Sequence, residues 1–298
     1  MYLKKVSFLV TPLVTSAFCL ALSSCGSAPK ADQDANASPK DSVAAVKTDA
    51  QTEDKPSFTL PSPLQIASIF KKAGLLYYPN IANAPENVSK YNSGKISQAL
   101  NLGIYSADLS YSALNKQNQE SKSYMKASRE LASQLGLSKV FETDNLAERF
   151  EKNLSVDDSL ASIIAEMQMQ TDLILEEHEQ EYISATVFAG AWVESMYIGG
   201  KVYEKGKAKN VSFRLVEQMA IAENIIKALK SYEAKDASIT PVIADLTTTR
   251  EIFKNFAGVK AMANSQEDID FSKITITEDE IGQLIKKIDE IRARIIKG

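Results

Sequence analysis

Histidine and cysteine are almost missing from this chain, with one histidine, His178, and two cysteines, Cys19 and Cys25, among 298 residues. A His-Glu-x-x-His zinc site needs two histidines on one helix face, and a di-iron bundle needs two Glu-x-x-His pairs, so neither can be assembled. A Ser-His-Asp triad would have to use His178, which stands in a run of charged residues rather than beside a cleft-forming pattern. No serine sits in a Gly-x-Ser-x-Gly elbow, and the glycine spacings that cradle phosphates or dinucleotides are absent. The sequence thus asks for no cofactor. A formal charge of -4 leaves no basic footprint for nucleic acid. The most apolar stretch, Val6 to Leu22, is broken by small residues and falls short of the roughly 20 apolar residues of a spanning helix.

That stretch is the right size for the apolar middle of a signal peptide, and Lys4 and Lys5 supply its basic start. It runs into Leu22-Ser23-Ser24-Cys25, which resembles the lipobox of bacterial lipoproteins. The resemblance implies cleavage before Cys25, a diacylglyceryl group on its sulfur and acylation of the new amine. A thiolate is the side chain nucleophilic enough to take the lipid near neutral pH. Each buried methylene of such chains contributes about 0.8 kcal/mol to membrane attachment. The expected division is a signal peptide at 1–24, lipidated Cys25 and a tether at 25–60, and a folded domain at 61–298. Cys19 leaves with the signal, so zinc on cysteine, disulfides and thiol redox chemistry are excluded from the mature protein.

From Gly26 to about Leu60 the chain is rich in Ala, Ser, Asp, Lys, Gln and Pro and carries almost no large apolar residue before Phe58. Such a composition cannot offset chain entropy, so a disordered tether is expected, with a coil dimension on the order of 30 Å. Gly26 follows the cysteine where inner-membrane lipoproteins often carry Asp, and this resemblance favours the outer membrane. Asp32 and Asp34 are too sparse to signal surface export, so the face of the membrane stays open.

Beyond Pro61 the apolar spacing is helical almost throughout. The pattern predicts an all-α bundle of about eight or nine helices: from Ser62-Pro63 to Gly74, about Ser93 to Lys116, Glu120 to Leu135, Thr143 or Asp144 to Leu154, and Ser155 onward. The run Glu176 to Glu181 is expected to turn the chain. Tyr182 to Tyr203 follows, apolar on every side and therefore central, with Gly190 and neighbouring alanines allowing close backbone approach. Lys205 to Asn210 reads as a basic loop, then helices run from about Ser212 to Tyr232 and from Thr240-Pro241. Gly258 to Ser272 reads as a loop, Ile274 to Ile276 as a short extended piece, and Thr277 with Glu280 as the capping box of a last helix. The segment Gly190-Ala191-Trp192-Val193-Glu194-Ser195-Met196-Tyr197-Ile198 resembles a stretch of uncharacterised helical lipoproteins of Bacteroidota, which implies no activity.

Four features are candidates for function. His178 and Glu181, three apart, would share one face if a helix ran through them, and are similar to the His-x-x-Glu piece of imelysin-type exported helical proteins. The resemblance implies a metal site, although the preceding glycine is missing. Tyr77, Tyr78, Tyr91, Tyr105 and Tyr111 cluster around the first long helix, and Tyr77, Tyr78 and Tyr105 are candidates for a sugar or peptide groove. Glu194 stands on the stripe Val187, Ala191, Glu194, Ile198, where a lone ionised acid is very costly. It pairs with a cation, accepts hydrogen bonds, or stays neutral; it either fixes helix register or lines a pocket. Cys25 is the lipidation site. Together these predict an outer-membrane lipoprotein, membrane-bound through Cys25, whose helical domain binds or scaffolds an envelope protein or glycan. The rival is an exported enzyme using carboxylates, for example on a glycan.

Overall fold

The computed structural model describes residues 60–263 and 274–298, so Cys25, the lipobox and nearly all of the tether lie outside the described residues. Among the described residues eleven α-helices follow one another: α1 (Pro63–Lys72), α2 (Lys95–Leu114), α3 (Asn118–Gln134), α4 (Lys139–Glu142), α5 (Leu146–Lys152), α6 (Asp157–Glu177), α7 (Glu181–Gly206), α8 (Lys209–Tyr232), α9 (Thr240–Lys254), α10 (Ala257–Ala263) and α11 (Glu278–Ile295). Among the described residues there is no strand, and no helix is long and apolar enough to cross a membrane. The fold is the expected all-α bundle; the helices beyond nine are the short α4 and α10.

Side-chain caps start the first and the last of these helices. Ser62 accepts from the Gln65 backbone while the Gln65 side chain accepts from the Ser62 backbone, and Pro63 follows in the first turn. Thr277 and Glu280 make the same reciprocal pair at α11. Several boundaries depart from expectation. The basic stretch Lys205–Asn210 is mostly helical, since α7 runs to Gly206 and α8 starts at Lys209, leaving Lys207 at φ 48° to turn the chain. Gly258 does not open a loop but lies in α10, where Val259 is buried in the core. Ile274–Ile276 is neither strand nor helix. Asp268 and Asp270 lie outside the described residues.

Helix α7 is the centre. Trp192 is fully buried, and apart from Ser184, Tyr197 and Lys201 every residue from Ile183 to Tyr203 is buried. It crosses α2 backbone to backbone. A Cβ added to Gly190 would lie 2.0 Å from the Leu100 carbonyl oxygen, and one added to Gly103 would lie 2.0 Å from that of Val187. The two glycines face each other's helix reciprocally, and no side chain fits between. The α2–α7 pair is a wall between two hydrophobic cores. One core gathers α1, α8, α9 and α11 around Trp192, Met196 and Leu215. The other gathers α3, α4, α5 and α6 around Tyr105, Leu131 and Phe150.

Candidate functional site

Two acids are completely buried in this wall. Glu194 of α7 receives two hydrogen bonds from Arg292 of α11, Nε to Oε2 at 2.6 Å and Nη2 to Oε1 at 2.9 Å. The fork geometry of guanidinium on carboxylate satisfies both oxygens at once. The Tyr197 ring lies 3.9 Å below the guanidinium carbon and covers its other face. Glu194 is therefore partnered by a cation from another helix. Burial works against the Arg292 charge, but the adjacent Glu194 carboxylate outweighs it and pushes the pKa of Arg292 up.

Asp108 of α2 is also fully buried and lies beside Glu194, whose charge acts on it. Its Oδ2 accepts from the Asn83 backbone N–H at 3.2 Å, while Oδ1 has no partner other than what a proton on one carboxyl would supply. One guanidinium cannot neutralise two carboxylates in a dry interior. Burial first, and then the Glu194 charge, hold the Asp108 carboxyl well above the usual range, with Arg292 opposing. Tyr91, Tyr105, Tyr111 and Tyr124 surround the pair with neutral hydroxyls and rings. These effects favour the protonated form of Asp108 in the folded state. Its folded pKa is raised above the unfolded value near 3.9, so its contribution is fully favourable below about pH 4 and is lost as pH rises towards the folded pKa. Asp108→Asn keeps the shape and a donor towards Glu194. Its stability relative to the natural protein should therefore improve by about 1.4 kcal/mol per pH unit over that window. Urea unfolding of both proteins from pH 4 to 8 measures this; a difference independent of pH would show that Asp108 is ionised in both states.

The same cluster fastens the long loop after α1. Asn83 donates from its side chain to the Tyr91 hydroxyl at 2.9 Å, Tyr105 donates to the Ala84 carbonyl at 2.9 Å, and Tyr111 donates to the Leu76 carbonyl at 3.1 Å. The tyrosine groove expected from the sequence is not built. Tyr105 is fully buried and serves the core, and only Tyr77 and Tyr78 are half-exposed. The Tyr77 hydroxyl donates to Glu120, and Lys205 lies 5.0 Å above the Tyr78 ring. The contact area of these aromatics is spent on pinning a loop.

His178 and Glu181 do not share a helix face. His178 caps α6, Glu179 takes φ 54°, and Glu181 opens α7. The turn separates the two, and His178 is exposed with Nδ1 on the Ile174 carbonyl at 2.8 Å. Glu181 instead lines a cavity of about 250 Å³ with Asp172, Glu176, Phe188 and Tyr232. There Asp172 accepts from Ser184 at 2.6 Å, and burial raises its pKa. No group of three or more His, Cys, Asp or Glu among the described residues has the geometry to hold a metal ion.

A larger open concavity lies elsewhere, between α2, α9 and α11. This groove of about 330 Å³ has an aliphatic floor of Ile96, Leu100, Val193, Val242, Leu246, Ile291 and Ile295. Ser93, Ser97, Ser238, Asp245 and Arg294 stand among its polar lining. Asn101, fully buried, donates to the Ser97 carbonyl at 2.9 Å and the Ile295 carbonyl at 3.1 Å, tying the end of α11 to α2 beside the groove. Arg292 is one residue from Ile291, so the buried ion pair and the groove share the wall that α11 provides. Sequence reading did not single out Asp108 or Arg292. The signal was there: Asp108 interrupts Tyr105, Ala107, Leu109 and Tyr111, and Arg292 falls on the α11 seam four residues after Ile288. Compared with protein-family models, curated proteins and solved structures, the chain matches none.

Proposed function

We propose that this chain is an outer-membrane lipoprotein, held through acyl chains on Cys25, whose helical domain is a ligand-binding module with the α2/α9/α11 groove as its seat. The groove carries the reading: a preformed, mostly aliphatic concavity with a few polar groups at its edge has the usual make-up of a small-molecule site. The anchoring half rests on the sequence Leu22-Ser23-Ser24-Cys25 after a basic and then apolar start. The buried acids do not support the rival enzymatic reading. Asp108 and Glu194 are in contact with each other and sealed from water, whereas glycoside hydrolysis needs carboxyls about 5 Å or more apart around a substrate.

Cys25→Ala should leave the protein unprocessed or soluble, with no acyl mass on the intact chain by mass spectrometry. Retention of a mature-sized Ala variant in the membrane fraction would contradict the anchor. For the binding half, a photo-crosslinking residue in place of Val242 should give a discrete adduct in intact cells. Uniform absence of any adduct, with the fold retained, would contradict a ligand seat there.

A further inference from the structure

We propose that the end of the bundle where α1, α2 and α7 finish docks on an anionic phospholipid surface, with Leu76 inserted among the head groups and the lysines around it on their phosphates. The inference is independent of the groove. It rests on the lipid anchor only in that an anchored domain already sits within a tether's length of a bilayer. Leu76 is the most exposed large apolar side chain among the described residues, at 61%. Its exposure is held by the backbone on both sides. The Leu75 N–H donates to the Phe70 carbonyl at 3.0 Å, and the Leu75 side chain is buried. The Tyr111 hydroxyl donates to the Leu76 carbonyl at 3.1 Å and accepts from the Tyr78 N–H at 2.7 Å. A loop pinned on either side keeps Leu76 pointing out, so folding has already met the ordering cost of presenting it. Tyr77 and Tyr78 follow it half-exposed, each an apolar ring with a polar tip, the kind of side chain that suits a membrane interface.

Lysines gather at the same end. Lys205, in the last turn of α7, lies 5.0 Å over the Tyr78 ring. Lys71 and Lys72 close α1; Lys71 donates to Asn115 just past α2 and lines one cleft with Leu75 and Tyr111. Lys207 and Lys209 continue the turn from α7 into α8. The acids here are Glu120, which accepts from Tyr77, and Glu278, 3.6 Å from Lys207. Asp157, Glu204 and Glu217 are each taken by another cation, Lys116, Lys201 and Arg214. Among the described residues no carboxylate pairs with Lys71, Lys72, Lys205 or Lys209. This end is therefore net positive on a chain whose formal charge is -4. Unpaired lysines around a projecting leucine and two tyrosines combine the attractions that hold a protein at an anionic bilayer. A protein partner fits less well. A specific protein interface takes roughly 800 Å² from each side, and one leucine with two half-buried rings is a small apolar centre for it.

The test is cosedimentation with vesicles of the mature chain, residues 25–298 carrying Cys25→Ala, which has neither signal peptide nor acyl groups. One set of vesicles is pure phosphatidylcholine, the other an equal mixture of phosphatidylcholine and phosphatidylglycerol. At low salt the chain should partition on the order of a hundredfold more strongly onto the anionic vesicles, and added salt should shrink the gap. Lys72→Gln, Lys205→Gln and Lys209→Gln together should erase it, since each lysine beside an anionic surface contributes about fivefold. Leu76→Ser should weaken binding to the anionic vesicles by about tenfold, the loss of one inserted apolar side chain. All four side chains are exposed, so the melting temperature should stay unchanged. Equal partition onto the two vesicle types, a gap that survives the triple lysine variant, or a Leu76→Ser chain that binds like the natural one would each overturn the inference. The last result would leave charge acting alone, as an acidic protein partner requires and an inserted bilayer contact does not. None of the four residues lines the groove and the chain tested carries no lipid, so such a failure leaves the groove and the anchor standing.

Discussion

Arg292→Met is expected to lower the unfolding free energy by about 3–5 kcal/mol at pH 7, the cost of leaving a buried charge without its partner. Methionine keeps most of the arginine stem while losing both the fork on Glu194 and the guanidinium contact with the Tyr197 ring, so the change removes the charged group with little loss of stem packing. Glu194 is then left beside Asp108, itself an acid, and its two oxygens lose the bonds at 2.6 and 2.9 Å. Water cannot readily substitute, because Glu194 is wholly inaccessible. Equilibrium urea unfolding followed by Trp192 fluorescence measures the loss. A change below about 1 kcal/mol would mean that Glu194 is hydrated or repartnered at little cost.

Gly190→Ala should be at least as damaging, even though Ala is the better helix former by about 1 kcal/mol. The added carbon would stand 2.0 Å from the Leu100 carbonyl oxygen, and 2.8 and 2.9 Å from two further backbone atoms. No rotamer relieves a clash with backbone, so α2 and α7 must separate and both cores open along the wall between them. Overpacking usually costs about 1–3 kcal/mol; a backbone collision at the central crossing should exceed that range. Gly282→Ala is the control. It lies on the exposed side of α11 with nothing within 4 Å, so it should be neutral or stabilising by up to about 1 kcal/mol. Melting curves of the two variants should therefore move in opposite directions. A Gly190→Ala protein as stable as the natural one would show that the helices cross farther apart.

The helical class, the central place of α7, and the Thr277–Glu280 cap were legible because each is written in short-range spacing. An apolar surround, a small residue at a crossing and a serine or threonine three before an acid or amide are local signals. Short helices were not legible: the four residues of α4 and the seven of α10 carry too little period to stand out from a loop. Glycine at 258 looked like a breaker, yet it sits where a Cβ would meet Ile274 at 2.7 Å, so packing chose it. The site was less legible still. Glu194 was conspicuous as an acid on an apolar stripe, but its partner lies 98 residues away on α11 and only the tertiary arrangement names it. The five tyrosines looked like a contact surface because tyrosine serves wet and dry edges alike; here three of them tie a loop to the core. The groove draws on four helices separated along the chain, and nothing local in any one of them marks a binding floor.

All of this depends on a buried polar pin, Glu194 with Arg292 and the neighbouring Asp108, fixing α11 against α7 and α2 so that the groove keeps its wall. A double-mutant cycle in Glu194→Leu and Arg292→Met, read by urea unfolding at pH 7, tests that pin most directly. If the two side chains are a desolvated pair, Arg292→Met alone is severe and the double variant recovers most of the loss, because removing both charges leaves none unpaired. A double variant that loses the sum of the two single losses would contradict the pairing, and with it the account of how this domain is held together.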